Sequence, residues 1–388
     1  MRSKKLLLIP IAVLILIFTV KSRDNFYPHK QKVEKDSLVT ISITSVGDLM
    51  CHSPQFEYAR VNADSFDFNS EFNVIKPYLM NSDFVFGNLE TVTAGRSKKY
   101  SGYPAFNTPD DFIRAIKLSG FTMLVTSNNH ALDKGASGLL RTISIIRNSG
   151  LDYNGTFTSK GDRDSIRIFN LKGIRIAFLA YTYGVNGNYI PKGKSYLVNL
   201  IDKTLIKRDI DSARKDGAEI VLVYFHFGTQ YKRTPDEFQK QIVDKTIHYG
   251  ADIIIGSHPH VIEPANFFKI KHAKLDTGFV AYSLGNFISN QRWRYADAGV
   301  ILKIFLTKNL NSDSVYISNV TFLPTWVFKG KINNKDEFEI IPAEEAFSQN
   351  CPAFLSTSDR QKMKQAFDDT KEILNKFTSR IQVDSTLK

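Results

Sequence analysis

His258 and His260 stand one residue apart across Pro259, directly after Ile253-Ile254-Ile255 and Gly256-Ser257. Three β-branched apolar residues in a row read as a fully buried strand. Proline between the imidazoles stiffens the backbone and fixes one ring relative to the other. Two neutral imidazoles at the carboxyl end of a buried parallel strand make half of a metal site. A polar loop whose histidines bond to backbone groups is the alternative. The pair alone does not choose between them.

The same arrangement recurs along the chain. Residues 39–46 alternate as a strand does and end in Gly47-Asp48. Phe84-Val85-Phe86 ends in Gly87-Asn88-Leu89-Glu90, and residues 121–126 lead into Asn128-Asn129-His130. Residues 220–225 lead into His226, and residues 280–283 into Leu284-Gly285-Asn286. Of the 8 histidines, His130, His226, His258 and His260 follow strands; His29, His248 and His272 lack that setting and read as surface or structural. Asp, Glu, Asn and several His form a mixed oxygen and nitrogen donor set. Such a set suits Mn, Zn or Fe, with Mg less well served. Six or so donors are too many for one tetrahedral ion and about right for two ions sharing a carboxylate.

Between these strands the spacing predicts helices over 72–80, 108–118, 138–148, 201–216 and 235–249, and a last one over 358–377. Residues 165–170 and 174–181 read as a hairpin through Lys172-Gly173, and further strands are expected over 261–270, 279–283, 299–307 and 314–323. Strands alternating with helices imply α/β layers with parallel pairing. In such sheets the strand carboxyl ends converge on one side, where ligands bind. Groups distant in sequence should therefore meet in one cleft. No repeat, low-complexity tract or linker divides the body of the chain.

The 388 residues carry a formal net charge of +12. Arg2, Lys4, Lys5, Lys21 and Arg23 sit in an N-terminal stretch without acids, and the remainder stays basic. That balance favours an anionic polymer or phosphoester as partner. The cations are scattered, and no nucleic-acid-binding pattern stands out. Residues 6–20 form an apolar run preceded by basic residues, expected to act as a signal-anchor. Residues 1–38 are then anchor and tether to the membrane, 39–330 one domain, and 331–388 a C-terminal extension whose helix packs on that domain. The domain would work on the extracytoplasmic face of the cell envelope. Cys51 and Cys351 exclude a disulfide framework and are expected to be unpaired.

Gly47-Asp48-Leu49-Met50, Gly87-Asn88-Leu89-Glu90-Thr91, the run from Ser127 to Gly135, His226-Phe227-Gly228, Gly256-Ser257-His258-Pro259-His260 and the run from Tyr282 to Phe287 closely resemble, in order, the CapA family of poly-gamma-glutamate capsule proteins. The resemblance covers about residues 41–291. It implies a calcineurin-like metallophosphoesterase relationship, an α/β fold of four layers (an α/β/β/α sandwich), and a site for one or two divalent ions. It also implies a role in capsule polymer synthesis or export beside other capsule-synthesis proteins. A metal-dependent phosphoesterase acting on another envelope phosphoester is the alternative.

Carried over by position, the resemblance makes Asp48, Asn129, His226, His258 and His260 metal ligands, and gives His130 a role on the substrate. The pattern expects a histidine where Met50 stands and a bridging aspartate where Asn88 stands. His52 and Glu90 are the nearby replacements, and Asn88 itself is retained among the metal-binding candidates. Asp133 either orients His130 or caps the helix near Gly135. Tyr231-Lys232-Arg233 either grips a polyanion or is a solvated charged loop.

Overall fold

A computed structural model of the chain describes residues 37–270, 275–349 and 351–384. The expected signal-anchor lies outside these residues, as do His29 and His272. Among the described residues no helix is long and apolar enough to cross a membrane.

The strands, in chain order, are β1 Leu38–Leu49, β2 Phe84–Leu89, β3 Met123–Val125, β4 Asp152–Asn154, β5 Arg167–Leu171, β6 Ile174–Thr182, β7 Ile220–His226 and β8 Ile253–Ser257. They continue as β9 Ala265–Lys269, β10 Thr277–Ala281, β11 Asn286–Ile288, β12 Ala298–Asn309, β13 Ser314–Ile332, β14 Lys335–Pro342 and β15 Gln382–Val383. The first sheet runs β14-β13-β12-β1-β2-β3-β4, with β11 beside β1 and β15 beside β13. The second runs β5-β6-β7-β8-β10-β9. Pairing is parallel through β1, β2, β3 and β4, and again through β6, β7, β8 and β10.

Alternation along the strands builds the layers. Ile41, Ile43, Phe84, Phe86 and Met123 of the first sheet pack against Phe178, Leu222, Tyr224, Ile253 and Ile255 of the second. The opposite face of the first sheet, with Leu49, Val85 and Leu124, buries residues of α1 Ser53–Tyr58, α2 Asn69–Phe72, α3 Lys76–Met80, α4 Asp110–Leu118 and α5 Gly135–Asn148. A short helix, α6 Lys160–Asp164, precedes the second sheet. The outer face of that sheet, with Val221, Val223, Phe225 and Ile254, packs on α7 Lys203–Lys215 and α8 Glu237–Tyr249. The result is the four-layer α/β/β/α order. Strands buried on both faces read as continuous apolar runs, as parallel strands do.

Several elements differ from the expected ones. The helix expected over 72–80 is broken into α2 and α3, because Pro77 in the first turn of α3 cannot donate to a preceding turn. Residues 261–264 are not strand; Pro264 interrupts the ladder, and β9 starts after it. Residues 331 and 332 complete β13, which pairs along β14, so the C-terminal region supplies an edge strand of the first sheet. A last helix, α9 Thr357–Leu374, contributes Met363 and Ala366 to a cluster with Trp326 and Phe328 of β13. Cys51 and Cys351 are both buried and free.

Where chemistry-bearing strands end, neighbouring segments of each sheet crowd together, and glycine makes that approach available. A Cβ on Gly47 would lie 1.9 Å from the Gly285 carbonyl oxygen, and one on Gly256 would lie 2.0 Å from that of Tyr282. Both contacts are with backbone, which cannot swing aside. Gly256→Ala should therefore lower the unfolding free energy by roughly 1–3 kcal/mol, as overpacking does. Urea denaturation followed by circular dichroism measures this, and unchanged stability would contradict the close approach.

Candidate metal centre

Asp48 closes β1, Asn88 lies in β2 with Glu90 just beyond it, His226 ends β7, and His258 and His260 follow β8. These ends come from both sheets and meet in one buried spot. The carboxylates of Asp48 and Glu90 and the ring of His226 are each 0% exposed. Two sets of donor atoms form there. Glu90, His226 and His258 make one, and Asp48, Glu90 and His260 the other; within each set the donor atoms lie within 4.8 Å of one another. Glu90 belongs to both.

The backbone of the His-Pro-His turn is strained. His258 has φ 101° and His260 φ 57°, a region that L residues with bulky side chains rarely enter. Such strain persists only where surrounding structure imposes it, and it concentrates at functional sites. Here it turns both imidazoles inward from a single turn.

The hydrogen bonds around the centre leave a specific shortfall. His226 Nε2 has Asn129 Oδ1 at 2.7 Å, His258 Nδ1 at 3.1 Å and Glu90 Oε1 at 3.6 Å. A neutral imidazole carries one N–H, so one proton cannot serve all three atoms. Glu90 Oε1 is buried without a hydrogen-bond partner, and His260 Nε2 is 3.7 Å from it. His260 Nδ1 lies 3.1 Å from both Asp48 Oδ2 and Asn286 Oδ1. A buried carboxylate oxygen without a donor, facing imidazole nitrogens from two sides, is the arrangement a divalent cation completes. The residues present therefore fit the metal that the donor types implied.

Electrostatics agree with this reading. Burial, followed by the charge of Asp48, pushes the Glu90 carboxyl well above its ordinary range. Burial and then His258 hold His226 well below its ordinary value, and burial and then His260 bring His258 down to about 3. These two histidines stay neutral at physiological pH and keep a lone pair available. Glu90 without a cation resists ionisation.

Asn88 reaches the same centre with its amide nitrogen, which donates to Asp48 Oδ1 at 2.8 Å and Glu90 Oε2 at 3.2 Å. Its carbonyl oxygen accepts from Asn128 Nδ2 at 3.0 Å, so its acceptor atom is turned toward Asn128. Asn88 is a strut between the two donor sets, and Glu90 is the carboxylate they share. Met50 is buried in the core, and its carbonyl accepts from Gln55 Nε2 at 2.9 Å. His52 stands apart from both donor sets: it is the N-cap of α1, and its Nδ1 accepts from the Asn290 amide at 3.3 Å.

His130 lines a cleft of ≈ 660 Å³ together with Asn129, Asp133 and His258. Asp133 Oδ2 is 2.7 Å from His130 Nδ1 and accepts the Phe106 amide at 2.7 Å. Asp133 thus orients the imidazole; the residue capping α5 is Lys134. Sequence reasoning missed Ser257, whose hydroxyl is 2.9 Å from His226 Nδ1, and Tyr183, whose ring centroid is 4.6 Å from that of His258. Ser257 immediately precedes the histidine turn, but nothing in one sequence shows that β7 lies beside it. Asn286 was visible only as another strand end.

The sequence pattern of the family described as "Bacterial capsule synthesis protein PGA_cap" matches residues 42–291, well over half of the chain. The chain belongs to this family. The capsule biosynthesis protein CapA of Bacillus anthracis is 30% identical over 306 residues, 77% of this chain and 71% of that protein. The PGA biosynthesis protein CapA of Bacillus subtilis (strain 168) is 30% identical over 304 residues, 78% of this chain and 76% of that protein. Among solved structures, the Haemophilus influenzae NAD nucleotidase (NadN) is 13% identical with a TM-score of 0.48, covering 89% of this chain and 64% of that one. The calcineurin-like phosphoesterase YfkN from Bacillus subtilis is 12% identical with a TM-score of 0.41, covering 86% of this chain and 98% of that one. The layer order of this PGA_cap member stands on its own sheet pairings.

Two outcomes test the centre. Because burial and Asp48 raise the Glu90 carboxyl, a cation bound there competes with its proton, and affinity should rise with pH across its raised titration range. Calorimetric titration with Mn²⁺ or Zn²⁺ in buffers of different ionisation enthalpy should show proton release, abolished in Glu90→Gln. Ser257→Ala, which removes the hydroxyl beside His226 Nδ1, should weaken metal binding by roughly 10–100-fold. Unchanged affinity would show that the Ser257 hydroxyl does not support His226 as a ligand.

Proposed function

We propose that this PGA_cap member is a metal-dependent component of capsule polymer synthesis or export, acting on an anionic polymer or phosphoester at the extracytoplasmic face of the cell envelope. Its N-terminal apolar run would hold it at the membrane, beside other capsule-synthesis proteins. The observation that supports this most is the shared, partnerless Glu90 Oε1 between two histidine-containing donor sets, in a chain whose 30% identical relatives are capsule biosynthesis proteins.

In this reading Asp48, Glu90, His226, His258 and His260 hold one or two divalent ions, with Asn129 beside His226. The ion, Mn, Zn, Fe or Mg, when bound supplies Lewis-acid polarisation of a substrate oxygen and a water of lowered pKa. Asn88 keeps Asp48 and Glu90 at fixed separation through its amide hydrogens. Asp133 accepts from His130 Nδ1, which leaves Nε2 to exchange a proton with a group in the cleft. That dyad beside the donor sets also favours hydrolysis of a phosphoester or related bond as the chemistry performed.

Metal analysis of the purified protein by plasma mass spectrometry is the direct test. One or two tightly held ions per chain are expected, lost in the His258→Ala/His260→Ala variant, while His130→Ala keeps the metal and loses turnover. Absence of metal under every divalent supply would sink the hydrolase reading.

A further inference from the structure

The loop after β6 carries no acid, histidine or cysteine from Tyr183 to Asn188, yet it reaches the donor sets. β6 and β7 pair in parallel to their last residues, Thr182 beside His226, and the Tyr183 amide donates to the His226 carbonyl at 3.0 Å. The loop therefore starts at the centre. Val185 is buried in the same cluster as Leu132, which closely follows Asn129. The Asn188 amide donates to the Val185 carbonyl at 2.9 Å, closing a turn in which Asn186 has φ 50° and Gly187 φ 71°. Two central residues at positive φ mark a type I′ turn, and Asn-Gly is a pair that enters it readily. The anchored turn sets Asn186 on the wall of the cleft, which it lines together with Asn129 and Asn188.

The Asn186 side chain meets Asn129 there. Asn129 Nδ2 donates to Asn186 Oδ1 at 3.1 Å, and Asn129 Oδ1 lies 2.7 Å from His226 Nε2. Asn129 is buried, and among the described residues no other acceptor meets its Nδ2. An amide can face the centre in two ways. With its oxygen inward, Asn129 offers a lone pair to a cation beside His226. With its nitrogen inward, it offers an N–H to the His226 lone pair, and both donors are then lost to a metal. Asn186 Oδ1 stabilises only the first orientation, since the second sets oxygen against oxygen.

We propose that Asn186 is a positioning residue of the metal centre, whose side-chain oxygen holds the Asn129 amide with its own oxygen toward a cation beside His226. This rests on the function proposed above and extends the centre to the loop after β6. Asn186 acts through Asn129 and needs no contact with ion or substrate. Outer hydrogen-bond partners of this kind fix the orientation of a ligand before the ion arrives, so their loss weakens binding without removing a donor. The left-handed turn serves the same end. Asparagine is among the few residues other than glycine that occupy such a position routinely, and it brings the acceptor that glycine lacks.

The test titrates Mn²⁺ into the metal-stripped full-length protein by calorimetry. Asn186→Gly keeps the turn, because glycine enters the positive-φ region without steric cost, and removes only the acceptor. Its Mn²⁺ affinity should fall by roughly tenfold, the low end for loss of an outer partner, with the urea unfolding midpoint unchanged. Asn186→Asp keeps an oxygen that can only accept and should hold the wild-type affinity. Asn186→Gly/Asn188→Asp moves that carboxylate along the cleft wall and should stay as weak as Asn186→Gly, which separates hydrogen bonding from charge. In an Asn129→Ala background, Asn186→Gly should cost nothing further, as coupled residues require. Wild-type affinity in Asn186→Gly, no recovery in Asn186→Asp, recovery through Asn188→Asp, or a full second loss in the Asn129→Ala background would each overturn the positioning role. The outcomes also separate the two readings. Mn²⁺ uptake by wild type with no response to Asn186→Gly rejects this role alone, whereas no uptake by wild type rejects the metal centre of the proposed function and this role with it.

Discussion

A carboxylate oxygen enclosed by protein and left without a donor is the constraint on which this structure turns. Glu90 Oε1 is buried between His226 and His260 and receives no hydrogen bond. An isolated buried charge of this kind is strongly unfavourable unless it is neutralised or paired with a cation. Burial and the neighbouring Asp48 drive it toward the protonated form, and a divalent ion reverses that preference. Folding thus prepares a site whose electrostatic shortfall is met either by a proton on Glu90 or by a cation, with Asn88 and Ser257 hydrogen-bonded to the surrounding donors.

The shortfall exists because two sheets deliver their strand ends to one point. Asp48, Asn88 and Glu90 arrive from the first sheet, and His226, His258 and His260 from the second. Neither sheet alone contains a complete donor set. Each end is packed tightly within its own sheet, at Gly47 and Gly256, where a side chain would strike neighbouring backbone, and the second sheet adds a turn that holds two histidines at positive φ. The same turn accepts the Tyr231 amide through the Pro259 carbonyl, so the loop after β7 is tied to the candidate centre.

Replacement of the expected bridging aspartate by Asn88 changes how the centre is built without emptying it. An amide in that place donates to Asp48 and Glu90, and the shared carboxylate moves two residues along the chain. The loss of a histidine at Met50 is not repaired by His52, which caps α1 and meets Asn290. The donor geometry alone therefore marks this cleft as a candidate metal site, built on Asp48, Glu90 and three histidines.

The amino-acid sequence by itself determined the layer class, the chief strands, and the candidate donors at their ends, because buried parallel strands read as apolar runs and reactive groups must follow them. It also carried the motif order that marks the family. It did not determine which of Glu90 and Asn88 is the shared donor, that Asp133 orients His130, or that Ser257 stands beside His226. It left residues 72–80 as one helix and 261–270 as one strand, since a proline's effect depends on where the neighbouring chain already lies. Those questions were decided by register between strands and by the packing of one sheet on the other. Both are contacts between residues far apart in sequence, and only the folded chain brings them within hydrogen-bonding distance.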